Sequence, residues 1–383
     1  CDQIEREMRD PKAAERFALK QSQAFVDQME GFALELEDEL MNFSDVSYKS
    51  FVKSESEIIT LFYDKFADIP LLSRMDAVAE TFIDEIETLL NRYLPEEERI
   101  PLIEKFRKMY ETMDFYVLYN RFLKKEGYQT LPRRPLEKRK LRYEDVYPIL
   151  YLKYRLSRQA ERSNIKHLVI DEMQDYSLLQ YLIIRRMFSC KMTILGDRAQ
   201  TMADQQQDVL QFLPGIFGKD LRRIEMRKSY RNTVEIASYA ANLIGVTDLE
   251  LFERHGMPVL ERDVTDLEAA LREAVDTLLP DEKTYETAAV IVPDEKTAER
   301  AYLILRGILA EKDFDCGKRL SWLNRDSSSF KKGLTVTTFY LAKGLEFDQV
   351  FSIFPKDEKR EIMMQAQYIA ATRALHELRV YHI

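Results

Sequence analysis

The stretch "VIDEMQD", Val169 to Asp175, decides how the chain is read. The run that leads into its acids, "HLVI" from His167 to Ile170, is short, apolar and β-branched. It reads as an interior strand of an α/β sheet. Asp171 and Glu172 then stand side by side at its carboxyl end, where open α/β sheets bind ligands. One acid in that place can hold Mg²⁺, largely through water, while its neighbour orients or deprotonates an attacking water. The other reading is a solvated pair at a strand end, and the rest of the chain has to decide between them.

With 383 residues, 45% hydrophobic and 32% charged, the chain has the material for two or three soluble domains with cores of their own. Cys1, Cys190 and Cys316 are an odd and sparse set without metal-ligand spacing. They point to free thiols in a reducing, cytoplasmic setting. No apolar run approaches the roughly 20 residues of a membrane span, and no signal peptide is visible. The chain opens on Cys1 rather than Met, which suggests a piece of a longer polypeptide. The net charge of −9 is unevenly placed. Residues 1–131 carry 28 acids and 17 bases, a net of −11, and the remainder is close to neutral at +2. A uniformly basic nucleic-acid binder is excluded.

Residues 1–131 read as entirely helical. "SESEIITLFYDKFADI" and "LLSRMDAVAETFIDEIETLLNRY" space their apolar residues at helical intervals, and Ser54 with Glu57 fits a capping box. Pro70, Pro95 and Pro101 punctuate the helices. A basic stretch follows, "LPRRPLEKRKLR", Leu131 to Arg142, which is either a linker or a contact for phosphate. From there strands alternate with helices: "HLVI", "MTILGD", then "AAVIV" (Ala288–Val292), "LTVTTF" (Leu334–Phe339), "QVFSIF" (Gln349–Phe354) and "ELRVYHI" (Glu377–Ile383). That alternation predicts parallel sheets in two α/β lobes.

Further polar groups follow in order. "TILGDRAQ" ends a strand with Gln200 placed to sense a phosphate. "RKSYRNT" sets Tyr230, able to stack on a base, beside Arg231, able to neutralise a transferring phosphoryl group. "YLAKGLEFD" (Tyr340–Asp348) carries Gly344, which allows close backbone approach, and "YIAATRALHEL" puts Arg373 in a C-terminal helix. In this order the motifs resemble those of superfamily 1 helicases of the UvrD/Rep type. The resemblance covers about residues 143–383 and implies ATP and Mg²⁺ as cofactors. By position it implies Asp171 for Mg²⁺, Glu172 as catalytic base and Gln200 as sensor of the γ-phosphate. It further implies Tyr230 for adenine, Glu346 for ribose, and Arg231 and Arg373 for the γ-phosphate. "DEMQDYS", "YLAKGLEFD" and "YIAATRALHEL" look most like the HelD branch, whose members associate with bacterial RNA polymerase and carry a long helical insertion in the first motor lobe.

The expected architecture is α/β: an all-α acidic arm with a basic linker (1–142), the C-terminal part of a first RecA-like lobe (143–222) and a second RecA-like lobe (223–383). Two departures from the family pattern stand out. No Gly-x-x-x-x-Gly-Lys-Ser/Thr loop is found, and "PGIFGKD" (Pro214–Asp220) has the wrong glycine spacing. Without that loop the β- and γ-phosphates lack a cradle, so the chain by itself is expected to bind ATP poorly. After "GDRAQ" the residues are "TMADQQQDVL", where Met202 offers no π-face for stacking bases. Three functions remain open on these grounds. The first is most of a HelD-like ATPase whose acidic arm enters a basic channel of RNA polymerase. The second is a DNA-unwinding repair helicase that holds single strands on its motor lobes. The third is a non-catalytic interaction module without the phosphate loop. A monomer is expected in each case.

Overall fold

The computed structural model describes residues 11–158, 164–197, 209–246, 250–281, 285–312, 319–325, 327, 332–356 and 361–383. They divide into two compact units. One comprises Lys12–Leu195 with Val209–Lys219, and the other is Asp220–Ile383, which also takes in Gly196 and Asp197.

The first unit is mostly helical. Its helices are α1 (Pro11–Lys20), α2 (Gln23–Glu39), α3 (Glu55–Thr60), α4 (Arg74–Leu90), α5 (Glu96–Arg107), α6 (Phe115–Lys125), α7 (Tyr143–Leu156), α8 (Leu178–Met187) and α9 (Val209–Phe217). Local chemistry sets their ends. Ser22 caps α2 by accepting from the Phe25 amide, and Ser54 with Glu57 closes the capping box on α3. Helix α4 stops where Asn91 turns left-handed at φ 51°. Phe25, Met29 and Leu36 of α2, Val78, Phe82 and Ile86 of α4, and Phe122 of α6 share one core. That core does not end with the acidic region, because Leu152 of α7 and Leu179 and Ile183 of α8 belong to it. The arm and the start of the α/β region therefore exclude water together.

Two buried cations fasten this layer. Lys20 Nζ lies 2.5 Å from Asp145 Oδ1, which also accepts from the Tyr119 hydroxyl at 2.8 Å. Arg74 reaches the Ile69 and Ala67 carbonyls, both at 2.8 Å, and the Glu37 carboxylate at 3.1 Å. Each buried cation thus has an opposite charge within reach, and Arg74 has two carbonyl partners besides, which offsets the cost of burial.

Three expectations are corrected here. Residues 1–131 are not entirely helical. Strands β1 (Val46–Tyr48) and β2 (Phe51–Lys53) form an antiparallel hairpin, with Lys49 left-handed at φ 54° in the turn. Alternating β-branched and aromatic residues in "VSYKSFVK" favour that pairing. Second, β3 (His167–Ile170) is no interior strand among the described residues. It pairs in parallel only with β4 (Lys191–Ile194), and Val169 is 60% exposed. An apolar run looks alike whether one or both faces are covered. Third, Arg373 lies just beyond its helix, in the turn to the last strand.

The second unit is built on a parallel six-stranded sheet of order β7–β12–β11–β8–β10–β9. These strands are β7 (Leu260–Asp263), β8 (Thr287–Val292), β9 (Leu320–Trp322), β10 (Gly333–Thr338), β11 (Phe347–Phe354) and β12 (Ala374–His382). A short parallel pair, β5 (Lys228–Ser229) with β6 (Glu250–Leu251), stands apart from it. Ala288 to Val292 of β8 are all buried, alternating between two cores. One core takes in α11 (Leu267–Asp281) and α12 (Glu295–Glu311), the other α10 (Val234–Leu243) and α13 (Glu361–Thr372). A parallel sheet needs both faces covered, and the near-continuous apolar strands follow from that. The fold is mixed α/β, with a parallel sheet of the RecA-like kind.

Candidate active site

In the helical unit, Asp171 and Glu172 occupy the turn that leaves β3. Glu172 is left-handed at φ 53° and ψ 51°, a conformation that costs about 1–2 kcal/mol outside glycine. Its amide donates to Asp171 Oδ1 at 2.8 Å, and its Oε2 accepts from Gln174 Nε2 at 2.5 Å. Gln174 is 2% exposed. The turn is tied down from two sides. The Met173 amide donates to the Leu195 carbonyl at 2.8 Å beyond β4, and the Met173 carbonyl accepts from the Tyr181 hydroxyl at 3.1 Å. Burial pushes the Tyr181 phenol above its ordinary pKa, so it remains a donor. An unusual backbone held by its surroundings is what a positioned carboxylate requires.

Asp171 is exposed, with one oxygen fixed by the Glu172 amide. One carboxylate completed by water and substrate phosphate is a donor set that suits Mg²⁺. No group of three or more His, Cys, Asp or Glu side chains able to hold a metal occurs among the described residues.

In the sheet unit, Arg231, Glu346 and Arg373 come together near the amino ends of β11 and β12. Arg231 Nε lies 2.8 Å from Glu346 Oε1. Arg373 is 2% exposed, and its guanidinium donates to the Leu345 carbonyl at 3.3 Å and to Thr372 Oγ1 at 3.2 Å. Asn232, directly after Arg231 and itself buried, donates from Nδ2 to the carbonyls of Ala374 at 2.6 Å and Thr372 at 3.3 Å. It clamps the backbone on both sides of Arg373. Gly344 has φ 80° and open space where a Cβ would stand. Tyr230 is 62% exposed, with its ring centroid 5.5 Å from that of Phe252 and 5.4 Å from Lys228 Nζ. On α13 the Tyr368 hydroxyl donates to Asp197 Oδ2 at 3.0 Å. Burial and then the Asp197 charge push that phenol upward. Gln200 and Met202 lie outside the described residues.

Sequence reasoning gave no role to Gln174, Tyr181 or Asn232. Gln174 and Asn232 sit inside or beside the quoted motifs, and that adjacency was the available signal. Tyr181 gives none, since a tyrosine on a helix face is ordinarily core.

The N-terminal domain family of the UvrD/REP helicases matches residues 4–202, just over half of the chain. The chain belongs to the UvrD/REP helicase family. The motifs from Tyr230 to Arg373 lie beyond the matched span and rest on the sheet unit alone. Among solved structures, this UvrD/REP chain is similar to the C-terminal domain of a possible DNA helicase from Lactobacillus plantarum WCFS1. The identity is 24% and the TM-score 0.31, over 40% of this chain and 88% of that one. It is also similar to the helicase of PRRSV, at 13% identity and TM-score 0.34, over 70% of this chain and 45% of that one. An arterivirus nonstructural protein 10 helicase in complex with DNA matches at 14% identity and TM-score 0.29, over 57% and 40% of the two chains. The chain thus spans less than half the length of these viral helicases. No curated protein matches it.

Proposed function

We propose that these residues belong to an ATP-driven superfamily 1 motor of the HelD branch, a longer protein that hydrolyses ATP. Asp171 would hold Mg²⁺, which when bound neutralises phosphate charge. Glu172 orients or deprotonates the attacking water, held for that task by Gln174. Gln200 senses the γ-phosphate. Tyr230 takes the adenine face and Glu346 the ribose, with Gly344 leaving room for the nucleotide. Arg231 and Arg373 meet the γ-phosphate charge that develops during transfer. The observation that carries this reading is the gathering of Arg231, Glu346 and Arg373 from three distant motifs.

The partner proposed for the acidic arm is RNA polymerase in the cytoplasm, with the motor as a monomer that remodels or recycles the enzyme. The charge of −11 over residues 1–131 supports a basic protein surface rather than DNA as what the arm meets. Steady-state ATP hydrolysis by the full-length protein, with and without RNA polymerase and with and without single-stranded DNA, tests both parts. Stimulation by polymerase supports the HelD-type reading. Stimulation by DNA alone, with duplex unwinding, replaces it by a repair helicase.

A further inference from the structure

The basic stretch Leu131–Arg142 is not absorbed by the nucleotide site. It lies in the helical unit, between α6 and α7. It carries Arg133, Arg134, Lys138, Arg139, Lys140 and Arg142 against the single acid Glu137. Its course is fixed at several points. The buried Leu131 donates its amide to Asn120 Oδ1 at 2.7 Å, and the Tyr116 hydroxyl donates to the Pro132 carbonyl at 2.6 Å. The Lys138 amide closes a single turn on the Pro135 carbonyl at 2.9 Å. Arg139 lies over the Tyr116 ring at 4.6 Å, pairs with Asp114 at 2.7 Å and donates from Nε to the Arg134 carbonyl at 3.1 Å. A chain pinned in this way, with Pro132 and Pro135 setting two of its φ angles, has little freedom left to lose on binding.

Arg133, Arg134, Lys138 and Lys140 are exposed, and none forms an ion pair among the described residues. Elsewhere in the same unit Arg99 pairs with Glu80, Arg107 with Asp76 and Arg121 with Glu111. In a unit rich in acids, four neighbouring cations are left unneutralised. The stretch also borders an open hollow of about 400 Å³ with mixed walls. Met113, Phe115, Leu136, Leu141 and Ile149 give it apolar surface, and the ion pair of Asp114 with Arg139 gives it a polar side. Leu136 is 73% exposed, and Met113 and Leu141 are exposed with it, so the open rim is aliphatic. The Asp114 carboxylate is already engaged by Arg139 and by the Tyr116 amide at 2.9 Å, so the polar side is neutral as a whole. Tyr116 is buried with Arg139 over its ring and offers no open face on which a base could stack.

We propose that this surface docks an acidic peptide segment of a partner protein. An aliphatic side chain of the segment enters the hollow against Leu136 and Leu141, and the carboxylates that flank it meet Arg133, Arg134, Lys138 and Lys140. Exposed arginines take carboxylates in two-pronged hydrogen bonds, and lysines act as point charges beside them. Charges at the rim speed the encounter and choose the sign of the partner, while the anchor seated between them carries most of the affinity. The neutral ion pair in the wall favours an uncharged anchor over an acid inside the hollow. The sign of this surface is opposite to that of the acidic arm, so it addresses a different partner surface. The proposal stands independently of the nucleotide chemistry assigned to Glu172.

The test uses the 383-residue chain and a fluorescein-labelled peptide of twelve residues, with six acids around two leucines, followed by anisotropy. The peptide should bind at low salt and weaken as salt rises. Replacing its two leucines by serine should cost about tenfold in affinity, a readout that needs no variant of the protein. The variant R133E/R134E/K138E/K140E should bind the original peptide at least about tenfold more weakly, and L136S several-fold more weakly with less dependence on salt lost. A control with the same charge change at exposed positions of the same unit, K49E/K65E/K108E/K124E, should keep most of the affinity. Circular dichroism melts check that the variants are folded. No binding at low salt overturns the proposal, as do equal losses in the two charge variants, which would reduce the effect to net charge. Equal binding of the leucine and serine peptides leaves the hollow without a role and overturns it too. Tighter binding of an oligothymidylate than of the peptide, abolished by the same four substitutions, would make the surface a phosphate contact and likewise overturn it.

Discussion

Arg231 and Glu346 meet across the sheet unit with 2.8 Å between Nε and Oε1. The side chains are 47% and 43% exposed, so water screens the pair and its contribution to stability is about 0–1 kcal/mol. We expect Arg231→Ala to shift urea unfolding by less than about 1 kcal/mol. In the full-length protein the same substitution should slow ATP hydrolysis by orders of magnitude, as loss of an arginine finger does. If the two effects were both small, the pair would be only a surface contact.

Glu172 is held by the Gln174 amide at 2.5 Å in a left-handed turn. In the full-length protein Glu172→Gln should leave the affinity for a fluorescent ATP analogue within a few-fold. Hydrolysis should fall by about 10²–10⁴, the usual contribution of a positioned acid or base. Single-turnover hydrolysis separates the two, and near wild-type turnover would remove Glu172 from the mechanism.

Lys20 and Asp145 are buried and 2.5 Å apart. Lys20→Met leaves the Asp145 charge uncompensated and should destabilise the helical unit by about 3–5 kcal/mol. The double change Lys20→Met with Asp145→Leu should recover part of that loss, because no orphaned charge remains. Chemical denaturation of the single and double variants decides the point.

The Glu235 carboxyl is held at a pKa of about 2, below its ordinary 4.5, first by its hydrogen bond with His255 and then by the Gly256 amide. A depressed carboxylate stabilises the fold fully above its unfolded pKa and loses that contribution as pH falls towards the folded one. Wild type and Glu235→Gln should therefore differ in thermal stability above about pH 4.5 and converge near pH 2. A pH-independent difference would place the effect elsewhere.

Glu35, Asp38 and Glu39 on α2 are exposed, whereas Glu37 is engaged by the buried Arg74. The reversal E35K/D38K/E39K spares that anchor. It should slow association with RNA polymerase more than dissociation, with the wild-type rate falling as salt rises. Surface plasmon resonance at two salt concentrations measures both rates, and an unchanged association rate would count against steering by this face.

What the sequence by itself determined was the alternation of strands and helices, because period and apolar content are local properties of the chain. The buried runs from Ala288 to Val292 and from Gln349 to Phe354 announced a sheet covered on both faces, and Ser54 with Glu57 announced a helix start. The motif order likewise placed Asp171, Glu172, Arg231, Glu346 and Arg373 as candidates before any coordinates. Only the tertiary structure decided which of these meet. The contact of Arg231 with Glu346 and the clamp of Asn232 around Arg373 join segments more than a hundred residues apart, and no local pattern encodes such distances. The structure also decided that Val169 of β3 faces water while Ile170 is buried, and that the arm shares its core with α7 and α8. Hydrophobic burial is non-directional, so an apolar face states that it will be covered without stating by what.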